Sequence, residues 1–309
     1  ERNLLMNYVK LIAPAKINLV LAVGEKLPDG YHEAHTILQA LALHDTLEIR
    51  SFPAEPGAGL SITLKCESSN MIDQLTIDQE GNIVYKAAVE LASALGRAED
   101  EEIHIYLAKQ IPFEAGLGGG SSDAAATLKG LSALWGVDPL DPAVIEVAAK
   151  LGADVPFFLY GGCAYLDGKG DHFVHALEPR KGFLALIRPE GSGVSSKEAY
   201  ERFDEAPEYP TPEFIQEVAG CMQASEVTPW NNLTPASLSL KPELQEVFGL
   251  IEGSAKANAQ VLCGSGSAVA ALCDSYEDAC ALSTEARKRG FYSRVTSFAS
   301  VGAEVLKQY

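Results

Sequence analysis

The segment Gly116-Leu-Gly-Gly-Gly-Ser-Ser122 has the composition that points most directly to chemistry. Three consecutive glycines run into two small hydroxyl residues. Glycine has no Cβ, so its N–H group can approach an anionic oxygen closely, and a helix that follows adds unpaired N–H groups and a positive dipole end. A loop of this kind is typical of a site that binds the phosphates of a nucleotide.

The residues on either side of this loop predict a strand, a turn and a helix. Apolar and other residues alternate from 103 to 108, as in a half-buried strand. Apolar residues then recur at helical spacing from Leu128 to Trp135, and Gly136 is placed to end a helix that begins near Ser121. No lysine precedes the serines as in a Walker A loop, and Ser121 stands where a dinucleotide loop needs its third glycine. Taken alone, the stretch leaves a flexible turn open as the alternative.

Two further segments carry polar residues suited to catalysis. Odd positions from 13 to 21 are apolar, so Lys16 and Asn18 share the other face of a predicted strand. Asp154 stands among apolar neighbours after a helical pattern at 143–151. By themselves these segments leave two alternatives open, a solvated strand edge for Lys16 and a helix-end or turn carboxylate for Asp154.

In this order, and together with Leu262-Cys-Gly-Ser-Gly-Ser267, the motifs resemble the GHMP small-molecule kinases over nearly the whole chain. The resemblance implies an α+β fold of two domains. The first, residues 1–180, would be ribosomal S5 domain 2-like and carry the ATP-binding loop, and the second, residues 181–309, would be ferredoxin-like. A length of 309 residues with 47% apolar content agrees with two cores.

The resemblance also implies a reaction, the transfer of the γ-phosphoryl group of ATP to an alcohol in the presence of Mg²⁺. Asp154 would accept the hydroxyl proton or only orient the hydroxyl, and Lys16 would stabilise charge on the transferring group. No protein ligand of the metal is assigned. The residues implied to bind ATP are Asn82, Lys109, Pro112, Ala115, Gly116, Leu117, Gly118, Gly119, Gly120, Ser121 and Ser122. Without the resemblance, Asn82 is a turn residue and Lys109 a strand-end cation.

Within the family, the element Asp29-Gly-Tyr-His32 indicates a substrate with a cytosine base, a cytidyl diphosphate of methylerythritol phosphorylated at its 2-hydroxyl on the route to isoprenoid precursors. Tyr31 and His32 would stack on the base, and a ring nitrogen of His32 with adjacent backbone groups would select its edge. Tyr200 would lie on the opposite side. The residues implied to bind the acceptor are Asn18, Tyr31, His32, Tyr200, Gly264, Ser265 and Gly266. The last glycine motif, taken alone, predicts a hairpin turn.

Several residues depart from this pattern or allow another interpretation. Asn232 stands where an aspartate is usual, which removes any acidic role there. Glu114 precedes a phosphate loop, so its side chain is expected to point outward. His32 and His35 would share one face of a helix, but they have no Cys or carboxylate partner at zinc spacing, and no metal site is predicted.

Composition limits the partners and the compartment. A formal charge of −18 argues against nucleic acid and anionic membranes, which bind clustered Lys and Arg. Six cysteines without a CxxC pair predict reduced thiols and a cytoplasmic protein. No stretch approaches the ~20 apolar residues of a membrane span, and the N-terminal segment 1–8 lacks the apolar core of a signal peptide. Two rival functions stay open: a GHMP kinase for another alcohol, of the mevalonate or homoserine type, and a regulator without turnover.

The sequence also predicts where the second domain begins and which segments lie on the surface. An apolar strand at 182–187 would open the second domain, after a hairpin-like segment at 157–166 and a turn at 167–170. The segments 53–59 and 205–212 are rich in proline and acidic residues and are predicted to be surface loops.

Overall fold

The structure is a computed structural model that describes residues 7–68, 79–97 and 99–309. Most of the N-terminal segment predicted not to be a signal peptide, residues 1–6, lies outside these ranges. The strands are β1 (Asn7–Lys26), β2 (His32–Pro53), β3 (Leu60–Ser68), β4 (Glu101–Lys109), β5 (Cys163–Asp167), β6 (His172–Leu177), β7 (Phe183–Arg188), β8 (Trp230–Asn231), β9 (Ala259–Leu262), β10 (Val269–Cys273), β11 (Tyr292–Ser297) and β12 (Glu304–Gln308). The α-helices are α1 (Ile83–Ala94), α2 (Gly119–Trp135), α3 (Pro142–Leu151), α4 (Val155–Tyr160), α5 (Ser196–Glu205), α6 (Pro212–Gly220), α7 (Thr234–Leu240), α8 (Leu244–Glu252) and α9 (Tyr276–Lys288).

Strands and helices together form an α+β fold with two sheets, as predicted. The larger sheet has the order β12-β1-β2-β4-β3; β5 pairs with β2, β6 pairs with β5, and β8 lies parallel to β1. The smaller sheet is antiparallel, in the order β11-β7-β10-β9. The last strand of the chain, β12, therefore returns to the larger sheet, where Gln308 pairs with Val9. The division of the chain into domains at residue 180 stays a prediction.

Helices α1 to α4 cover one face of the larger sheet and enclose the main apolar core. Leu11 and Ile49 are fully buried there, and burial of each such side chain stabilises the fold by ~2 kcal/mol. Helix α2 lies so close to the strands that a Cβ on Gly130 would be 2.7 Å from Cδ1 of Ile49. This close approach fixes the position of α2, and with it the loop that precedes the helix.

A second apolar cluster joins the two sheets. Ile17 and Leu19 of β1 belong to it together with Leu184 and Leu186 of β7. Consequently β1 has buried residues on both of its faces from 13 to 24, although its first residues alternate between buried and more exposed. Polar side chains in this part of β1, such as Lys16, are therefore held inside the protein.

Most of the local predictions are confirmed. The strand at 103–108 lies in β4, the helix at 143–151 is α3, and the strand at 182–187 is β7. Helix α2 ends at Gly136, which adopts a left-handed conformation with φ of 68°. All six cysteines are free thiols.

Two of the local interpretations are wrong. Residues 157–166 do not form one hairpin, because Val155–Tyr160 is a helix with a proline in its first turn and Gly161 after its end. The hairpin of this region is formed by β5 and β6, which pair antiparallel. The spacing of His32 and His35 is not helical either, since both residues lie on β2.

Candidate active site

The loop between β4 and α2 requires glycine at two positions where its backbone lies very close to other parts of the protein. Gly116 has φ of 75°, and a Cβ there would lie 1.7 Å from the carbonyl oxygen of Cys263. Gly118, with φ of 69°, directly precedes α2, and a Cβ on it would lie 2.9 Å from Cγ of Lys16. The loop therefore passes directly over Lys16 and brings the N-terminus of α2 to the same place.

Lys16 and Asp154 meet beside this loop. Nζ of Lys16 lies 3.2 Å from Oδ2 of Asp154 and donates a 2.8 Å hydrogen bond to Oδ1 of Asn18. The amide of Asn18 in turn donates to Oγ1 of Thr36 at 2.9 Å. The Lys16 side chain is 5% exposed, whereas the Asp154 side chain is 31% exposed. The hydrogen bond to Asn18 thus fixes the Lys16 ammonium, while the Asp154 carboxylate stays accessible to a ligand.

The turn between β9 and β10 forms the opposite wall. Nζ of Lys16 would lie 3.6 Å from a Cβ on Gly264. Asn231 of β8 holds this turn, because its amide donates to the carbonyl oxygens of Leu262 and Gly264 at 2.9 and 2.7 Å. The Ser265 hydroxyl also lies 3.0 Å from that of Ser196. Elements distant in sequence therefore converge on the Lys16–Asp154 pair.

These groups line one cavity of about 860 Å³. The predicted site residues that line it are Lys16, Asn18, Tyr31, His32, Lys109, Pro112, Ala115, Gly116, Leu117, Gly118, Gly119, Gly120, Ser121, Asp154, Tyr200, Gly264 and Ser265. Asn82, Ser122 and Gly266 are not among its lining residues. Asn82 caps α1 by accepting from the N–H of Val84. The Ser122 hydroxyl is fully buried, with no hydrogen-bond partner in the described part of the chain.

Lys109 lies beneath the glycine-rich loop in a buried cluster with two carboxylates. Its Nζ is 2.5 Å from Oδ2 of Asp45 and 2.6 Å from Oδ2 of Asp123, and it would lie 3.3 Å from a Cβ on Gly119. Burial opposes the charged form of Lys109, but the two carboxylates outweigh it and raise the pKa of the ammonium. Burial also raises the pKa of Asp123 well above its usual value. Lys109 is therefore held as a cation against the phosphate-loop side of the cavity.

The other end of the cavity is aromatic. His32 is 6% exposed, and its ring lies 5.1 Å from the ring of Tyr200. Because these two rings are in contact, a base has no space between them. Tyr31 is 61% exposed and has the ammonium of Lys169 4.5 Å from its ring centre. Burial, together with the nearby Asp154 charge, raises the pKa of Tyr200 to about 12, so its hydroxyl is neutral.

Asp204 of α5 links His32 to Lys26. Its Oδ1 lies 2.6 Å from Nε2 of His32, and its Oδ2 accepts a 2.6 Å hydrogen bond from Nζ of Lys26. Burial acts to raise the pKa of Asp204, but the hydrogen bonds from Lys26 and His32 outweigh it and lower the pKa. The carboxylate is thus ionised and orients the His32 ring.

Three of these carboxylates were missed from the sequence. Asp123 directly follows the two serines, so its place in the first turn of α2 was a usable signal. Asp45 and Asp204 have no such signal, because they lie 64 and 172 residues from Lys109 and His32. Glu114, expected to point outward, is exposed and lines the cavity. Among the described residues, no group of three His, Cys, Asp or Glu side chains could hold a metal ion.

Fold and site together define a small-molecule kinase of the GHMP class. Residues 82–162 match the model of the GHMP kinases N terminal domain. The chain shares its fold with homoserine kinase from Cytophaga hutchinsonii, at a TM-score of 0.70 and 20% identity, over 97% of each chain.

Closer matches narrow the class. The 4-diphosphocytidyl-2-C-methyl-D-erythritol kinase of Rhodococcus jostii is 37% identical, over 95% of this chain and 94% of that protein. A crystal structure of 4-(cytidine 5'-diphospho)-2C-methyl-D-erythritol kinase matches with a TM-score of 0.72 and 30% identity, covering 94% of this chain and 99% of the other. The chain belongs to the 4-diphosphocytidyl-2-C-methyl-D-erythritol kinase family.

Proposed function

We propose that this protein transfers the γ-phosphoryl group of ATP to the 2-hydroxyl of 4-diphosphocytidyl-2-C-methyl-D-erythritol, a step toward isoprenoid precursors. The observation that carries the proposal is the 3.2 Å contact between Lys16 and Asp154 inside a cavity walled by two glycine-rich turns. Family membership supports the choice of acceptor. The reaction needs a cation, a carboxylate and an anion-binding loop within reach of one hydroxyl, and these groups converge here.

Asp154 and Lys16 would act on the hydroxyl and on the transferred group. The partly exposed Asp154 carboxylate would accept the hydroxyl proton or hold the hydroxyl in line for attack. The Lys16 ammonium would offset negative charge on the γ-phosphoryl group as it moves. Since Asn18 fixes Lys16 in the free protein, this charge needs no rearrangement during the reaction.

The ATP phosphates would lie along the loop from Gly116 to Ser121, at the N-terminus of α2. Backbone N–H groups there, together with the helix dipole, favour negative charge. Lys109 supplies a buried cation on this side of the cavity. Asn82, at the N-terminus of the neighbouring α1, would lie toward the adenine or ribose. Together these groups would place the γ-phosphoryl group toward Lys16.

Mg²⁺ is part of this proposal, and the residues present fit an ion that arrives with the nucleotide. Mg²⁺ keeps several waters and is often held by one or two protein oxygens plus substrate phosphates, so a cage of several carboxylates is not required. The Ser122 hydroxyl is buried without a partner in the described ranges, but Ser122 does not line the cavity, so phosphate oxygens and water would supply most of the ligands of the ion. When bound, the ion would neutralise negative charge on the phosphates. The chain itself has a formal charge of −18 and offers few cations for this purpose.

The aromatic end of the cavity would bind the cytosine base. Because His32 and Tyr200 are in direct contact, the base would lie against the exposed Tyr31 and the edge formed by His32. Ser265 and the backbone of Gly264, which line the cavity near Lys16, would contact the diphosphate of the acceptor, and Gly266 would allow the turn that presents them. The acceptor hydroxyl would then lie between the two ends, next to Asp154.

We further propose that the protein acts in the cytoplasm, where six free thiols stay reduced. Among the described residues, no helix combines the length and apolar character needed to cross a membrane.

The test is to incubate the protein with Mg-ATP and each of three alcohols, namely the cytidyl diphosphate substrate, homoserine and mevalonate, and to follow products by phosphorus NMR. We expect a new phosphomonoester only with the cytidyl compound. Phosphorylation of another alcohol would assign the protein to a different GHMP kinase reaction. ATP binding without any product would identify a regulator and contradict the proposal.

A further inference from the structure

The contact between Asp204 and His32 leaves one nitrogen of a cavity-lining ring without a hydrogen-bond partner in the described part of the chain. His32 lines the cavity, its side chain is 4% exposed, and its ring packs against Tyr200 and Phe203 at centroid distances of 5.1 and 6.2 Å. Nε2 is occupied by Asp204 at 2.6 Å. In the described part of the chain, no residue hydrogen-bonds to Nδ1. Among the described residues, the His32 ring is thus hydrogen-bonded through Nε2 alone, and Nδ1 is left for a ligand.

We propose that Asp204 is a positioning residue that makes the cavity select cytosine over uracil by fixing the proton of His32 on Nε2. An ionised carboxylate only accepts hydrogen bonds, so Nε2 must carry the proton, and in the neutral ring Nδ1 is then an acceptor. Cytosine presents an amino group at position 4, a donor that Nδ1 accepts. Uracil presents a carbonyl oxygen there, which would face the Nδ1 lone pair. This inference rests on the proposed function, because it concerns the base of that acceptor.

The contact between Lys26 and Asp204 allows a test by a substitution that replaces one carboxylate oxygen of Asp204 with an amide NH₂ group. Its ammonium donates to Oδ2 of Asp204, the oxygen that does not face His32. In Asp204→Asn, the amide oxygen is drawn to this ammonium, because an NH₂ group there would set donor against donor. The amide NH₂ then faces Nε2 and requires an acceptor there, which moves the histidine proton to Nδ1. The variant therefore presents a donor to the base.

The experiment compares the cytidyl substrate with its uridyl analogue by measuring kcat/KM for each with Mg-ATP. In the wild type we expect the cytidyl compound to be preferred. In Asp204→Asn we expect the cytidyl-to-uridyl ratio to fall by at least ~10-fold, since the wrong hydrogen-bond polarity leaves buried groups unpaired. KM for ATP should be unchanged, which separates this effect from a general loss of structure.

Two further variants serve as controls. Lys26→Met keeps the carboxylate on Nε2, so the ratio should stay at the wild-type value. In the double variant Lys26→Met/Asp204→Asn the amide is free to turn its oxygen to Nε2, and the ratio should recover in part.

The outcomes are distinct. An unchanged ratio in Asp204→Asn, or an equal drop in Lys26→Met, would overturn the role of Asp204. A wild-type protein that phosphorylates neither compound would instead contradict the proposed function.

Discussion

Gly116 lies against the main chain of Cys263, so close that a Cβ on Gly116 would be 1.7 Å from the Cys263 carbonyl oxygen. This contact joins the glycine-rich loop to the turn after β9, two segments that lie far apart in the sequence. Backbone hydrogen bonds extend it, since the N–H groups of Ser267 and Ala268 donate to the carbonyl oxygens of Glu114 and Ala115. The two walls of the cavity therefore form one unit.

A methyl group at position 116 should separate these walls. In Gly116→Ala the new Cβ meets backbone atoms and φ of 75° is unfavourable for alanine, so we expect unfolding to be easier by more than ~1 kcal/mol. Gly120→Ala is the matched control, because the nearest atom to its Cβ would be 3.7 Å away and its backbone is helical. Thermal and urea unfolding would measure both variants. Equal stability of the two would contradict the packing described.

The two carboxylates bound to Lys109 should respond differently to neutralisation. Asp45 also accepts hydrogen bonds from the backbone N–H groups of Gln110 and Ile111, so both of its oxygens are bonded. Asp45→Asn removes this charge and should lower the free energy of unfolding by ~3 kcal/mol. Asp123 accepts only from Lys109 through Oδ2, and its Oδ1 has no partner among the described residues. Asp123→Asn should therefore stay within ~1 kcal/mol of the wild type. Urea unfolding of both variants at pH 7 checks the order, and the reverse order would contradict it.

Asp123 also sets a pH dependence. Burial raises its folded-state pKa well above the ordinary 3.8, so the folded protein binds a proton that the unfolded chain releases. The stability from this group is fully present below pH ~4 and is lost as pH rises through the folded pKa. In Asp123→Asn we expect this decline in the free energy of unfolding above pH ~4 to disappear, relative to the wild type. Parallel pH profiles for the two proteins would show that Asp123 has an ordinary pKa.

Asn232 illustrates how a departure in sequence becomes clear in the structure. Its amide donates to the carbonyl oxygens of Val23 and Glu208, and its Oδ1 accepts from the N–H of Val23. A carboxylate can make only the last of these bonds. Asn232→Asp should therefore destabilise the protein by ~2 kcal/mol, measured by thermal unfolding. Gln245→Glu, an exposed change of the same charge, is the control and should be near neutral.

Much of the fold followed from local patterns. Alternation from 103 to 108 predicts β4, and Gly136 ends α2 because only glycine readily takes its left-handed conformation. The apolar run at 157–160 suits a strand as well as a buried helix, so the sequence predicts a hairpin where the structure has α4. The pairing of β12 with β1 had no local signal, since register between distant strands depends on packing.

For the site, too, local patterns predict some residues, whereas contacts across the fold leave no signal in the sequence. Lys16 and Asn18 could be placed on one strand face because the period of a strand is fixed. Their meeting with Asp154 and with the loop at Gly116 came from the family resemblance rather than from spacing. Asp204 and Asp45 were missed, because a carboxylate that reaches its partner across the fold looks like any other surface acid in the sequence.

The most direct test of the proposed reaction is to measure kcat and the ATP dissociation constant for Asp154→Ala beside Glu201→Gln, a second carboxylate that lines the cavity without pairing with Lys16. Our proposal predicts that Asp154→Ala lowers kcat at least ~10²-fold with ATP affinity within ~3-fold of the wild type, because Asp154 acts on the acceptor hydroxyl and not on the nucleotide. Glu201→Gln should change both values little. Loss of ATP binding in proportion to the loss of turnover in Asp154→Ala would show that Asp154 only supports the structure, and would contradict a catalytic Lys16–Asp154 pair.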